Sequence, residues 1–298
     1  MLQVKKYRSE WIFQTVMAAI MIMFSVLMIY PFLNIFAKSL STGSAMIGRT
    51  VYILPVSPTL NNYWAIFNNS LLIQSLLVSV ARTVVGTMFH LVITGAAAYA
   101  CSKKRLKGRY FLTVFFLIPM YFGGGLLPSY ILITKLGLMN SFWVYIFPGM
   151  FSTFNFLVMM TYFKQLPESI EESARIDGAN DFQIFTRIVI PVSTPIIATI
   201  ALLVAVGHWN SWFDAVLYVN TAKLQPVQAV LQQIIQGTQT TTLLRNAQYG
   251  TTSANTNTFT TQSITMATLC FTVFPILFVY PFLQKYFVKG IMIGGVKG

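Results

Sequence analysis

Apolar residues in this chain gather into long runs instead of alternating with polar ones. Six such runs cover residues 11–36, 71–100, 110–127, 142–163, 192–219 and 263–283. Crossing roughly 30 Å of hydrocarbon takes about 20 apolar residues as a helix. Lipid offers no partner for unpaired backbone groups, so runs of this kind must close their own hydrogen bonds as helices. The pattern predicts an all-α membrane protein with six transmembrane helices. Polar connections lie between the runs, the longest at 37–69, 164–191 and 220–262. On this division residues 1–70 form an anchor helix with its following loop, 71–283 a transmembrane core, and 284–298 a C-terminal tail.

Composition agrees: 55% of the 298 residues are hydrophobic and 9% charged, and the mean hydropathy of +0.66 lies outside the range of ordinary soluble domains. Charge then orients the runs. Fourteen of the twenty Lys and Arg residues fall in the N-terminal segment, 103–109, 164–187 and the tail, while Lys38, Arg49, Lys135, Lys223 and Arg245 fall in the alternate connections. By the positive-inside rule both termini are cytoplasmic, loop 164–191 is cytoplasmic, and loop 220–262 is external. The net charge of +13 is then topology facing membrane lipid, and it gives no ground for a nucleic-acid partner. The first run is about twice the length of a signal-peptide core and lacks a small-x-small cleavage site, so it is expected to remain as an uncleaved anchor. Cys101 and Cys270 have no metal-like spacing and read as small hydrophobes.

The 164–191 loop carries most of the chain's scarce acid: Glu168, Glu171, Glu172, Asp177 and Asp181 are five of seven carboxylates. Pro167 suits a first helical turn, with Glu168 and Glu171 near its positive end. A short helix over 168–177 should stop at Gly178 in a left-handed turn. Asn180 or Asp181 can then cap a second helix over 182–189, running to Pro191 and Pro195. On the first helix Ile170, Ala174 and Asp177 share a face, and the small Ser173 and Ala174 let another surface approach closely. Periodicity alone leaves two readings open, a helix seated in a partner's groove or a solvated hairpin.

The string Glu172-Ser173-Ala174, Gly178 six positions after Glu172, and Ile188-Val189-Ile190-Pro191 resembles the Glu-Ala-Ala…Gly…Ile-x-Leu-Pro loop of membrane subunits of binding-protein-dependent ABC importers. Ser173 replaces the usual second Ala and Ile190 the usual Leu. The tail, Lys289 through Gly298, is similar to that of maltose-type inner permeases. Together the likenesses cover nearly the whole chain and point to the carbohydrate-uptake branch, in particular permeases for complex oligosaccharides or polysaccharide fragments. The resemblance implies a type I (MetI-like) ABC-importer transmembrane domain in the bacterial plasma membrane. It implies ABC ATPase subunits contacted through Glu171, Glu172, Ser173, Ala174, Asp177, Gly178, Ile188, Ile190 and Pro191. It also implies a second, different permease chain, an extracytoplasmic solute-binding protein, and ATP with Mg on the ATPase partner.

The chain lacks Gly-x-x-x-x-Gly-Lys-Ser/Thr, the loop that cradles nucleotide phosphates. His90 and His208 lie on separate runs with no evident catalytic partner, so no enzyme chemistry and no cofactor or metal is assigned to the chain. An ion-gradient carrier is the competing class, but it usually brings repeated halves and several embedded ionisable groups. No internal repeat is evident. A permease for a non-sugar solute is a further alternative.

Candidate substrate-path residues cluster at Trp209, Asn210, Trp212, Phe213 and Asp214. Aromatic faces with amides and carboxylates suit sugars, although Trp also gathers at bilayer interfaces. Arg82 is the one charged residue well inside a run. It either lines the path, favouring anionic sugars, or snorkels to an interface, with Asp214 as its candidate partner. Gly123-Gly124-Gly125 with Pro128 leads either to a turn into an interfacial helix over 130–136 or to a broken helix lining a cavity. The Thr-, Asn- and Gln-rich stretch 238–261 is either a spacer or a docking loop.

Overall fold

A computed structural model describes residues 2–237 and 260–295, with side chains placed over 10–46, 49–237 and 260–278. The Thr/Asn/Gln-rich stretch, except its last two positions, and the side chains of the Gly-rich tail lie outside the described residues. The chain divides into two units, one of Met1–Ser70 with Gln233–Val273 and the other of Leu71–Gln232 with Phe274–Gly298.

In the first unit, α1 (Leu2–Ser39) contains Pro31 and exposes its apolar positions along the stretch that qualifies as a span. Its end is stitched to the connection that follows, which holds α2 (Gly43–Gly48) and α3 (Asn61–Phe67). The Asn62 amide donates to the carbonyls of Ser39 and Ser41, each at 2.9 Å, and Tyr63 meets the Ser39 hydroxyl at 2.7 Å. The two amide bonds satisfy carbonyls at and just beyond the helix end, where intrahelical donors run out.

The second unit is built on α4 (Ser70–Ser102), unbroken over 33 residues. Around it follow α5 (Arg109–Tyr121), α6 (Leu126–Lys135), 3-10 turns at Phe142–Tyr145 and Phe147–Gly149, α7 (Thr153–Lys164) and α8 (Glu168–Ile176). Next come α9 (Asp181–Ile184), a π turn over Phe185–Val189, α10 (Ile190–Val192), α11 (Thr194–Asn210), α12 (Phe213–Tyr218) and α13 (Val227–Ile235). The last helix, α14 (Thr261–Gly295), is shared between the units.

Among the described residues three helices, Glu10–Ser39, Ser70–Ser102 and Thr261–Phe278, are long and apolar enough to cross a membrane unaided, and the count rises to as many as six if each of three bent pairs is one span. The bends fall at 122–125, where Gly123-Gly124-Gly125 reads as a turn or a broken helix, at 150–152 inside the run over 142–163, and at Ser193, at the entry of the run over 192–219. The pairs bend by 116° between α5 and α6, by 50° before α7, and by 83° before α11. Each bend has a local cause. Gly125 adopts φ +77°, open to glycine and costly for other residues. Pro148 sits in the 3-10 turn before α7, and the Ser152 hydroxyl accepts the Asn155 amide to open α7. Pro191 donates no amide, and Pro195 starts α11 in its first turn. The glycine break leads into a helix that begins at Leu126, four residues before the expected start.

One core cluster joins Tyr99 of α4, Phe156, Met159 and Phe163 of α7, and Ala174, Ile184, Val189 and Ile200 of the segments that follow. A second joins Ile133, Val144, Tyr145 and Ile146 with Ala215, Val219 and Ala229. Close approach marks α4 against α11: a Cβ at Gly86 would stand 2.5 Å from the His208 ring. Small residues at such crossings are the usual means of packing helices in lipid, where van der Waals fit replaces the hydrophobic drive.

Candidate functional site

The 164–191 loop forms as local sequence rules dictate. Gly178 takes φ +83° and ends α8. Its amide donates to Arg175 O at 3.0 Å and the Ala179 amide to Ala174 O at 2.9 Å, the paired bonds of a Schellman stop. Two residues on, Asn180 and Gln183 exchange side-chain and backbone hydrogen bonds, each 2.9 Å, closing a capping box over α9.

Ion pairs fix how this hairpin faces. Lys103 pairs with Glu171, Lys104 with Glu168 at 2.9 Å, and Arg105 with Asp181. Arg175 lies 3.6 Å from Glu171 and 3.5 Å from Asp181, bridging the two helices. Lys103 also sits over the Tyr99 ring, 4.6 Å from its centroid. The Lys104 ammonium, hydrogen-bonded to Glu168, holds that carboxyl below its usual range.

Three of the five loop carboxylates are thus turned onto the basic tripeptide between α4 and α5. Glu172 and Asp177 enter no ion pair among the described residues and are exposed. Glu171 and Ala174 are buried, so the expected common face of Ile170, Ala174 and Asp177 is split: Ala174 packs into the core while the other two stay exposed. Ser173 is exposed, with its hydroxyl bonded to Ser169 O at 2.9 Å. Exposed beside it stand Ile176 at 87% and Phe182 at 74%, two large apolar side chains that sequence reading passed over. Ile188 packs against the core from the π turn, and Ile190 and Pro191 are exposed.

The second candidate group is arranged differently. Arg82 is 1% exposed and pairs with Asp214 through two contacts, at 2.5 and 3.3 Å. It also donates to Ser211 O at 3.1 Å and lies 4.4 Å over the Tyr145 ring. The guanidinium is enclosed, and Asp214, the partner that the sequence offered, pairs with it. Of the aromatic cluster, Trp209 is buried, Trp212 half-buried, Asn210 and Phe213 exposed.

Arg82 belongs to a polar stripe on α4. The Ser79 hydroxyl accepts the Val227 amide at 2.8 Å, His90 Nδ1 donates to Gly149 O at 2.8 Å, and the Thr94 hydroxyl donates to Met150 O at 3.3 Å. Asn155 meets the other His90 nitrogen at 2.9 Å. The stripe supplies side-chain partners to backbone at helix ends and breaks, groups that lipid would leave unpaired. Among the described residues no cluster of His, Cys, Asp or Glu could hold a metal ion.

No protein-family model matches the chain. A polygalacturonan/rhamnogalacturonan transport system permease of Bacillus subtilis, YtcP, is 35% identical over 289 residues, covering 96% of this chain and 99% of its own length. Protein LplC of the same organism is 40% identical over 275 residues, with 91% and 90% covered. The chain belongs to the carbohydrate ABC-importer permeases. A solved chain of a bacterial ABC transporter for import of the acidic polysaccharide alginate superposes with a TM-score of 0.84 at 30% identity, covering 94% of this permease and 98% of that chain. The permease is thus a helical integral membrane protein.

Proposed function

We propose that this permease forms half of the translocation path of an ATP-driven importer for oligosaccharides or polysaccharide fragments. A second, different permease chain completes the path in the bacterial plasma membrane, and an extracytoplasmic solute-binding protein delivers the sugar. Both termini and the 164–191 loop face the cytoplasm, and residues 71–283 form the core that moves between inward- and outward-open states. Separate ABC ATPase subunits hold ATP and Mg and drive that movement through the loop. YtcP and the solved alginate importer are both named for acidic polymers, so an anionic oligosaccharide is the proposed cargo.

One observation carries the coupling assignment: α8 and α9 are anchored by Glu171, Ala174 and Ile184 while Glu172, Ser173, Ile176, Asp177 and Phe182 project outward. Exposed Ile and Phe on an acidic hairpin fit a partner's groove better than open water, where such side chains gain nothing. The test is co-purification. A permease carrying Ile176→Asp and Phe182→Asp should insert normally and lose its ATPase subunits; full retention of the ATPase by that variant would refute the assignment.

A further inference from the structure

The end of α1 and the segment after α2 line an open cleft of about 520 Å³ within the first unit, inside the range of roughly 300–1,000 Å³ usual for small-molecule sites. Tyr30, Asn34, Lys38, Arg49, Tyr52 and Gln262 are among its walls. The wall is built by a hydrogen-bonded clip: both Asn34 amide hydrogens go to backbone carbonyls, Val51 O and Tyr52 O, each at 2.7 Å. They hold the segment that follows the extended Arg49 beside the helix.

The charge of this cavity is one-sided. Lys38 and Arg49 line it, and no carboxylate does. Neither cation enters an ion pair among the described residues. Glu10 is the one acidic residue in the sequence of the whole unit. It precedes Lys38 by 28 positions on the same helix, about 42 Å at 1.5 Å per residue, several Debye lengths away. Two cations brought to one concavity without a counter-charge repel each other, and a bound anion relieves that repulsion.

We propose that this cavity is an anion site that takes a carboxylate-bearing sugar unit. Arg49 presents a planar fork matched to a carboxylate and Lys38 a compact second charge. Tyr30 and Tyr52 offer ring faces to the sugar's C–H surface, and Gln262 an amide to its hydroxyls. The choice of a sugar acid rests on the import reading above; the uncompensated cation pair does not. A lipid phosphate has the same charge chemistry and is the rival source.

The importer complex, without its binding protein, is placed in phosphatidylcholine nanodiscs, and trigalacturonate binding is measured by calorimetry. The Lys38→Gln, Arg49→Gln double variant should bind about tenfold more weakly or worse, while methyl-esterified trigalacturonate, which lacks the charge, should not distinguish variant from parent. Asn34→Ala, which keeps both cations but opens the wall, should also weaken binding. Equal trigalacturonate affinity in parent and double variant overturns the site. If phosphatidylglycerol nanodiscs abolish binding to the parent and leave the double variant unchanged, the cavity holds a lipid headgroup and the sugar assignment is overturned. ATP-driven uptake of trigalacturonate, measured in proteoliposomes with the binding protein present, separates the two readings. Uptake with equal binding refutes the site alone, and absence of uptake of any saccharide by the parent refutes the import reading.

Discussion

The Arg82–Asp214 pair and the ion cluster of the 164–191 loop use the same kinds of side chain in contrasting surroundings. Arg82 is fully enclosed, with its partner in the first turn of α12. In the loop, Lys104, Glu168, Arg105 and Asp181 are largely exposed, and Glu171 alone is buried. An enclosed pair adds little net stability over a well-packed apolar pair, but removing one member leaves an unpaired charge. An exposed pair contributes about 0–1 kcal/mol and fades with salt. The first arrangement fixes one geometry; the second can be rearranged cheaply, which suits the proposed coupling role of the loop.

Four experiments press on that contrast. Asp214→Leu strands Arg82 and should cost about 3–5 kcal/mol. Thermal unfolding in detergent should show it, and adding Arg82→Met should recover most of the loss; no recovery would show that the pair does not act as a unit. Lys103→Met leaves buried Glu171 with only the more distant Arg175, a loss of about 1–3 kcal/mol by the same measurement, with Lys103→Arg largely preserved. Gly178→Ala places a Cβ at φ +83° and should cost about 1–2 kcal/mol. Amide exchange should rise over 174–184 and stay unchanged around Arg82.

The smallest effect is that of Glu168→Gln, read as a function of pH. Its folded carboxyl is depressed by Lys104, so its contribution is present above the unfolded value of about pH 4.3 and lost as pH falls through the lower folded value. Parent and variant should therefore differ slightly at neutral pH and low salt, and converge in acid or in concentrated salt. A gap that persists in acid would rule out the charge as its source.

Much of the loop was legible because its signals are local. Gly178, Asn180 and the two prolines act on backbone within a few residues, and the structure places turn, cap and bend at them. The partners of Glu171 and Asp181 were not legible, since Lys103 and Arg105 lie 68 and 76 positions away and read, in sequence, only as positive-inside charge. Arg82 found its partner on paper because a lone intramembrane cation has few carboxylates to choose from. Hydropathy concealed the bend before α7, as it records burial in lipid and carries no direction; Pro148 and Ser152 held that information inside an apolar run. The π turn over Phe185–Val189 has no sequence signature of its own.

The separation of Arg82 from Asp214 has a consequence for how the protein is made. The two are 132 positions apart, so at about 5–20 residues per second the carboxylate is synthesised roughly 7–26 s after the arginine. During that interval α4 enters the membrane carrying an unmatched cation, at about 2.5–3.5 kcal/mol on insertion scales. The apolar remainder of the 33-residue helix must outweigh that cost. The nascent chain therefore commits α4 to the bilayer first, and the arrival of Asp214 marks when the later half of the bundle has closed around it.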